Sequence, residues 1–302
     1  MKSAFLDAIH KPQTLLMVMA AAMPLSFWAW TVMLNNFTVD VANFTGREIG
    51  ILQSLREVPG FLSFLVVYLL FFFTEQRLAL LALGLLGAGV ALTGYFPFAI
   101  GLYITTIISS IGFHYYEACN QSLTLQWLDK KDAPTIMGRI YGVGAAAQLL
   151  TIGALMVVYM LAMPEISWEA LGSSDSLAAD AESYQPTYLV AGLASVVLAV
   201  FAFVIFPRFE QKTAQRRQII LRKRYWLYYA LTFIAGARRQ IFLVFASFLM
   251  VEKFDYSLVQ ITLLFLVNAG FNIWLAPIVG RIITKVGERA ALGFEYLGLI
   301  GI

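Results

Sequence analysis

The chain has 302 residues, 60% of them hydrophobic and 13% charged, with a net charge of +3. Its mean hydropathy of +0.76 excludes an ordinary water-soluble domain, which is about half apolar and a quarter charged. A single cysteine, Cys119, excludes an internal disulfide and a cysteine-based metal site, so the fold must rest on lipid and helix packing.

Residues 1–10 carry Lys2 and Asp7 and lead into an apolar run without a small-residue cleavage site, so the first span reads as retained and not as a signal peptide. A hydrocarbon core of roughly 30 Å needs about 20 residues of helix. The first such stretch is 14–34. The second, 49–73, carries Arg56 and Glu57 about 11 Å below its outer end. Pro59 and Gly60 follow, and the missing N–H and missing Cβ predict a kink there. Ionisable groups at this depth cost on the order of 2.5–3.5 kcal/mol each, which makes Arg56 and Glu57 binding-site candidates. They also read as a local ion pair between helices, with Glu57 as partner to a later arginine or as a proton acceptor. The third span is 77–95 and the fourth 98–118. In the fourth, His114 and Glu117 are three apart and Gln121 lies four further on, so all three share a helical face. That face reads as a water-exposed polar rim near the cytoplasmic mouth or as a binding surface. The fifth span, 137–162, has Gly138, Gly142 and Gly144, a spacing that predicts close approach of a neighbouring helix. The sixth is 187–206.

A long basic segment, 207–224, precedes the seventh span at 225–250. Arg238 and Arg239 lie about 13 residues into that span, roughly 20 Å and so near the midplane. Adjacent residues diverge by about 100° around a helix, so one of the two is expected to face a cavity and the other a neighbouring helix or carbonyl. The eighth span, 257–278, carries Asn268 and Asn272 four apart on one face, as donors to a solute or as interhelical glue. A ninth begins near Ala290 and is still apolar at Ile302, which predicts further spans beyond that residue.

Charge alternates between the loops. Lys2, Lys11, Arg77, Lys130, Lys131, the bases of 207–224, and Arg281, Lys285 and Arg289 fall on one side. The loop between 162 and 186, on the other side, has Glu165, Glu169, Asp175, Asp180 and Glu182 and neither Lys nor Arg. The positive-inside rule then makes the basic side, and the N-terminus with it, cytoplasmic. Short loops fit a bacterial inner membrane. The sequons at Asn36 and Asn43 lie close to the membrane and read as chance occurrences.

The basic segment divides the chain into six spans and the rest. Gln76-Arg77-Leu78-Ala79-Leu80 falls on Glu288-Arg289-Ala290-Ala291-Leu292, and the start of span one on that of span seven, at an offset of about 212 residues. Between spans eight and nine, Gly280, Arg281, Lys285, Gly287 and Arg289 resemble the loop motif of the major facilitator superfamily: Gly, three residues, an acid, a base, one residue, Gly and then bases. Thr284 stands in place of the acid and Glu288 in place of a base, and the equivalent loop at 74–77 keeps only Arg77. The glycines permit a tight turn and the bases hold the interface. The resemblance implies an all-α membrane protein of the two-bundle type. A six-helix bundle would occupy 1–206, a cytoplasmic linker 207–224 and an incomplete second bundle 225–302, with a central cavity lined mainly by spans one, four, seven and ten.

The function this implies is secondary active transport of a small-molecule solute, anionic or polar because Arg56, Arg238 and Arg239 outnumber Glu57 at depth. A proton is the candidate coupling ion and the lipid bilayer the surroundings. No cofactor, metal or nucleic acid is expected, and no catalytic residue stands out. Candidate solute- or ion-binding residues are Arg238, Arg239, Arg56, Glu57, Asn268, Asn272, His114 and Glu117. The eroded 74–77 loop leaves a non-transporting sensor or assembly partner as the alternative. A membrane-embedded enzyme lacks support, since there is no clustered His/Asp metal spacing, no Gly-x-Ser-x-Gly and no P-loop. The glycines of span five resemble only in part the Gly-Pro motif of facilitator antiporters, whose proline is missing.

Overall fold

The computed structural model describes residues 2–129, 132–161, 181–210, 222–240 and 245–300, and the described residues form helices and no strands. Lys130, Lys131, the acids of 163–180 and the bases of 211–221 lie outside the described residues. A short helix, α1 (Lys2–Ile9), precedes α2 (Pro12–Asn36), which starts on Pro12 at a position where no backbone N–H is needed. A π-helical turn, Phe37–Val41, ends it. Helix α3 (Gly46–Phe61) passes into a 3-10 turn at Leu62–Leu65 directly after Pro59 and Gly60, then into the four-residue α4 (Val66–Leu69). The expected interruption is there. The chain continues through α5 (Glu75–Thr93), α6 (Ala99–Trp127), α7 (Ala133–Leu161) and α8 (Ala181–Ile205). After the basic segment come α9 (Trp226–Gln240), α10 (Ser247–Phe254), α11 (Leu258–Val286) and α12 (Glu288–Ile300).

Two spans are longer than the apolar runs suggest. Helix α6 continues from 118 to Trp127 and α11 from 278 to Val286, so both carry polar turns past the hydrocarbon core. Five described helical stretches are long and apolar enough to cross a membrane: Pro12–Val41, Gly46–Leu69, Glu75–Thr93, Thr135–Leu161 and Glu182–Ile205. Helix α6 is not among them, although it is 29 residues long. The reason is its composition: Thr105, Thr106, Ser109 and Ser110 are buried against other helices instead of facing lipid.

Helix α5 lies between α6 and α8, and small residues set the distance. A Cβ on Gly87 would stand 2.6 Å from the Gly192 carbonyl oxygen, and one on Gly112 2.3 Å from the Leu86 nitrogen. The glycines of span five act differently from expectation. Gly138 and Gly142 have nothing within 4 Å, and the nearest atom to a Cβ on Gly144 is the Ala20 carbonyl oxygen at 3.4 Å. Their spacing marks a small face, but packing left that face open. Helices α2 and α8 are joined by hydroxyls: Ser26 Oγ–H donates to Ser195 Oγ and Ser195 Oγ–H to the Ala22 carbonyl, each at 2.6 Å.

The internal repeat has a structural counterpart. Helices α2, α3 and α5 start at 12, 46 and 75, and α9, α11 and α12 at 226, 258 and 288, a displacement of 212 to 214 residues. The turns ahead of α3 and α11 match more closely still. Asn43 and Asp255 are both left-handed, with φ of 53° and 52°. In each turn the next residue donates its N–H six residues back, Phe44 to Thr38 (2.8 Å) and Tyr256 to Met250 (3.0 Å), which satisfies a helix-terminal carbonyl. Thr45 and Ser257 then begin capping boxes with Glu48 and Gln260. Thr45 N–H donates to Glu48 Oε2 (3.0 Å) and Ser257 N–H to Gln260 Oε1 (2.8 Å). Asn36 is 1% exposed, which rules out its sequon as an acceptor.

Candidate functional site

Alternating helix directions place Lys11, Arg77, Arg208 and Arg289 at one end of the molecule, the basic end. The main cavity, about 740 Å3, occupies the half nearest that end. Helix α2 contributes Met23, Pro24 and Trp28, and α7 contributes Tyr141, Gly144 and Gln148. Helix α6 supplies most of the polar lining, with His114, Glu117, Asn120, Gln121 and Thr124. The faces are those that a period of 3.6 residues selects on α6 and α7. Asn120 Oδ1 is buried and accepts no hydrogen bond among the described residues.

At the far end the described part of the later helices touches α2. Asn36 Nδ2–H donates to the Tyr256 carbonyl at 2.9 Å, and the Trp28 ring meets Phe265 edge-on at 6.1 Å. Leu258, Val259, Ile261 and Thr262, at the start of α11, are buried. Further along the same helix, Val267, Phe271 and Ile273 are exposed. The start of α11 thus packs against the first six spans at the far end.

The sequence candidates fall in different places. His114 and Glu117 line the cavity. The His114 ring fills the notch at Gly60, where a Cβ would stand 2.8 Å from ring atoms, so that glycine allows span four to lie against span two. Arg56 sits apart, in a small pocket with Phe27, Trp30 and Phe113. Its guanidinium lies 5.2 Å from the Trp30 ring centroid and 5.8 Å from that of Phe27, and donates to Gln53 Oε1 at 3.2 Å. Its own carbonyl accepts from Ser110 Oγ–H. Glu57 is half-buried on α3 and outside the cavity lining. Asn268 is exposed on α11. Helix α9 carries Arg238 and Arg239, whose side chains, like those of Asn272 and Arg281, lie outside the described residues. Of the loop motif, Gly280 and Arg281 are inside α11; only Gly287, with φ of +84°, makes the turn, and Lys285 and Arg289 are exposed beside it.

Sequence reasoning passed over Trp28, Asn120 and Gln148, single aromatic or amide residues without a periodic signal. It also passed over a buried polar cluster at the basic end. Glu75, 7% exposed, accepts from Ser122 Oγ–H at 3.0 Å and from Gln126 Nε2–H. Next to it, Gln76 Nε2–H donates to the Pro207 carbonyl (2.9 Å) while its Oε1 accepts from Phe209 N–H (3.0 Å).

Successive apolar helices, a repeat at about 212 residues and a polar cavity in the basic-end half are features of one transporter architecture, and the Major Facilitator Superfamily profile matches residues 12–302. The chain belongs to the major facilitator superfamily. A search of curated protein sequences finds no match. Among solved structures, this superfamily member is similar to a mutant of the nucleoside transporter NupG, with a TM-score of 0.64 and 11% identity over 92% of this chain and 69% of that one. It is similar to unmodified NupG with a TM-score of 0.62 and 11% identity, over 91% and 68% of the two chains. Likeness at that identity shows the fold. The protein is an integral, multi-pass membrane protein of a transporter family, and that family implies a small-molecule solute.

Proposed function

We propose that the protein is a secondary active transporter working by alternating access, with its solute held in the cavity between α2, α6 and α7. In this reading, bundles at 1–206 and 225–302, joined by 207–224, rock about that site. In the same reading the basic end faces the cytoplasm of a bacterial inner membrane and the N-terminus lies inside, an orientation that the charge asymmetry of the loops supports. The observation that carries the reading is a polar cavity in the basic-end half beside a contact between α2 and the later helices at the far end. An enzyme pocket needs no such pairing; a carrier that exposes its site to one side at a time does.

The described cavity lining holds amides, Trp28, Tyr141, His114 and Glu117, and neither Lys nor Arg. That chemistry favours a neutral solute rich in hydrogen-bonding groups, which can stack on Trp28 and bond to the amides of Gln121 and Gln148. The anionic reading rests instead on Arg238 and Arg239. Uptake by proteoliposomes of uridine against uridine 5′-monophosphate separates the two. The proposal expects entry of the nucleoside or another neutral polar solute, little changed by replacing both arginines with alanine. Entry of the nucleotide alone, lost in that double variant, would establish the anionic reading. Solute-induced thermal stabilisation without counterflow would instead support a non-transporting sensor.

Glu117 is the acid among the described lining residues, three residues from His114, and we assign it the coupling proton. Glu117→Gln is expected to retain counterflow and lose accumulation driven by an acid-outside gradient. Retained accumulation overturns the assignment.

A further inference from the structure

The surface facing away from the cavity holds a second site. Helices α5 and α8 part on their outer side to leave an apolar groove of about 380 Å3, lined among others by Leu81, Gly84, Leu85, Val200 and Phe203. Its rim is exposed, and its floor is shallow in side chains: a Cβ on Gly84 would stand 3.9 Å from Ala199 Cβ. In a bilayer such a groove is filled by hydrocarbon, because an empty one forfeits dispersion contacts along its length.

The groove ends in positive charge. Arg77 lies on the same face of α5 as Leu81, Gly84 and Ala88, and its guanidinium sits 5.7 Å from the Phe203 ring centroid at the basic end of the groove. About one turn beyond Phe203, Thr74, Gln76, Trp127, Arg208 and Phe209 line a further space of about 220 Å3. Trp127 is 6% exposed, and its Nε1–H has no acceptor among the described residues. The Gln76 amide is engaged with Pro207 and Phe209, and Glu75 is bonded to Ser122 and Gln126 on α6. A buried donor without an acceptor, next to an arginine, calls for an anionic oxygen.

We propose that this face binds one anionic phospholipid from the leaflet on the basic side. An acyl chain lies in the α5–α8 groove, and the headgroup phosphate sits against Arg77, Arg208 and the Trp127 N–H. Apolar groove and cationic end lie along one line, as the two parts of a lipid do. A soluble phosphate would use only the second part, and another copy of the chain would use mainly the first.

Native mass spectrometry of the full chain, delipidated in detergent and titrated with defined probes, tests this. The probes are dioleoylphosphatidylglycerol, dioleoylphosphatidylcholine and glycerol 3-phosphate. One phosphatidylglycerol per chain should be retained, about thirtyfold better than phosphatidylcholine, the effect of two cations near an anionic headgroup. Glycerol 3-phosphate should not be retained. Arg77→Ala and Arg208→Ala should each cut the preference to about fivefold, and Trp127→Phe should reduce it. Gly84→Leu, which fills the groove, should weaken both lipids. Arg208 is exposed and outside the helices, so its variant tests the headgroup site with the packing intact. Equal retention of the two lipids, or no effect of Gly84→Leu, overturns the proposal. Tight binding of glycerol 3-phosphate identifies a soluble-phosphate site and overturns it too, as does a doubled mass that Gly84→Leu abolishes, which identifies a second copy as the occupant.

Discussion

The two ends of the molecule treat the internal repeat differently. At the far end, residues 43–48 and 255–260 fold alike: a left-handed Asn or Asp, an aromatic residue, a hydroxyl cap, and Glu or Gln three residues later. At the basic end, the segments entering α5 and α12 share an arginine, Arg77 or Arg289, and little else. The first is anchored, with Glu75 bonded to α6 and Gln76 holding both the carbonyl of Pro207 and the N–H of Phe209. The second turns on Gly287 between exposed Lys285 and Arg289. A far-end turn must satisfy the last carbonyls of one helix and the first N–H groups of the next within a few residues, and few residue types can do so. The basic-end segments have room to specialise, one as an anchor and one as a loose hinge.

That contrast can be broken by substitution. The largest effect is expected at Glu75, where Glu75→Ala removes the two hydrogen bonds to a buried carboxylate and leaves Gln126 only its bond to Ser122 Oγ, at a cost of about 3 kcal/mol. Arg289→Ala, at an exposed position, should change stability by about 0.5 kcal/mol or less. The temperature at which Cys119 reacts with a maleimide dye reports both, since this sole thiol is 2% exposed in the folded protein. Equal effects would mean that the two segments are anchored alike. Next in size is Gly287→Ala, which forces a Cβ into the left-handed region and should cost about 1–2 kcal/mol in the same assay. No loss there would show that the hinge does not depend on its glycine. Then come Thr45→Ala and Ser257→Ala, each expected to cost about 1 kcal/mol through loss of a helix cap. A loss at only one of them would reduce the repeat to a likeness of shape.

Much of the fold was legible in the sequence because the bilayer imposes a simple code. Apolar run length marked the helices, Pro59 marked the interruption of span two, and the offset of about 212 residues agrees with helix starts displaced by 212 to 214. The extensions of α6 and α11 were not legible, because helix that continues into water loses its apolar signature. The matched turns were written in plain residues, Asn43-Phe44-Thr45 and Asp255-Tyr256-Ser257, but a four-residue capping pattern is too common to stand out without its partner. The cavity was half legible: spacing put His114 and Glu117 on one face, whereas only packing decides that Trp28 and Gln148 meet that face. Charge at depth was an ambiguous guide, since Arg56 is held by the Trp30 and Phe27 rings and by Gln53 outside the main cavity.

The central claim, a solute site reached from the basic end while the far end is closed, is tested most directly at Ala145, a lining residue of α7. Ala145→Cys in a Cys119→Ala background is labelled with a membrane-impermeant maleimide in intact cells and in inverted vesicles, with and without the solute that the uptake assay selects. The account predicts labelling in inverted vesicles, little in intact cells, and slower labelling when the solute is present. Labelling that is as fast in intact cells, or that the transported solute leaves unchanged, would contradict it.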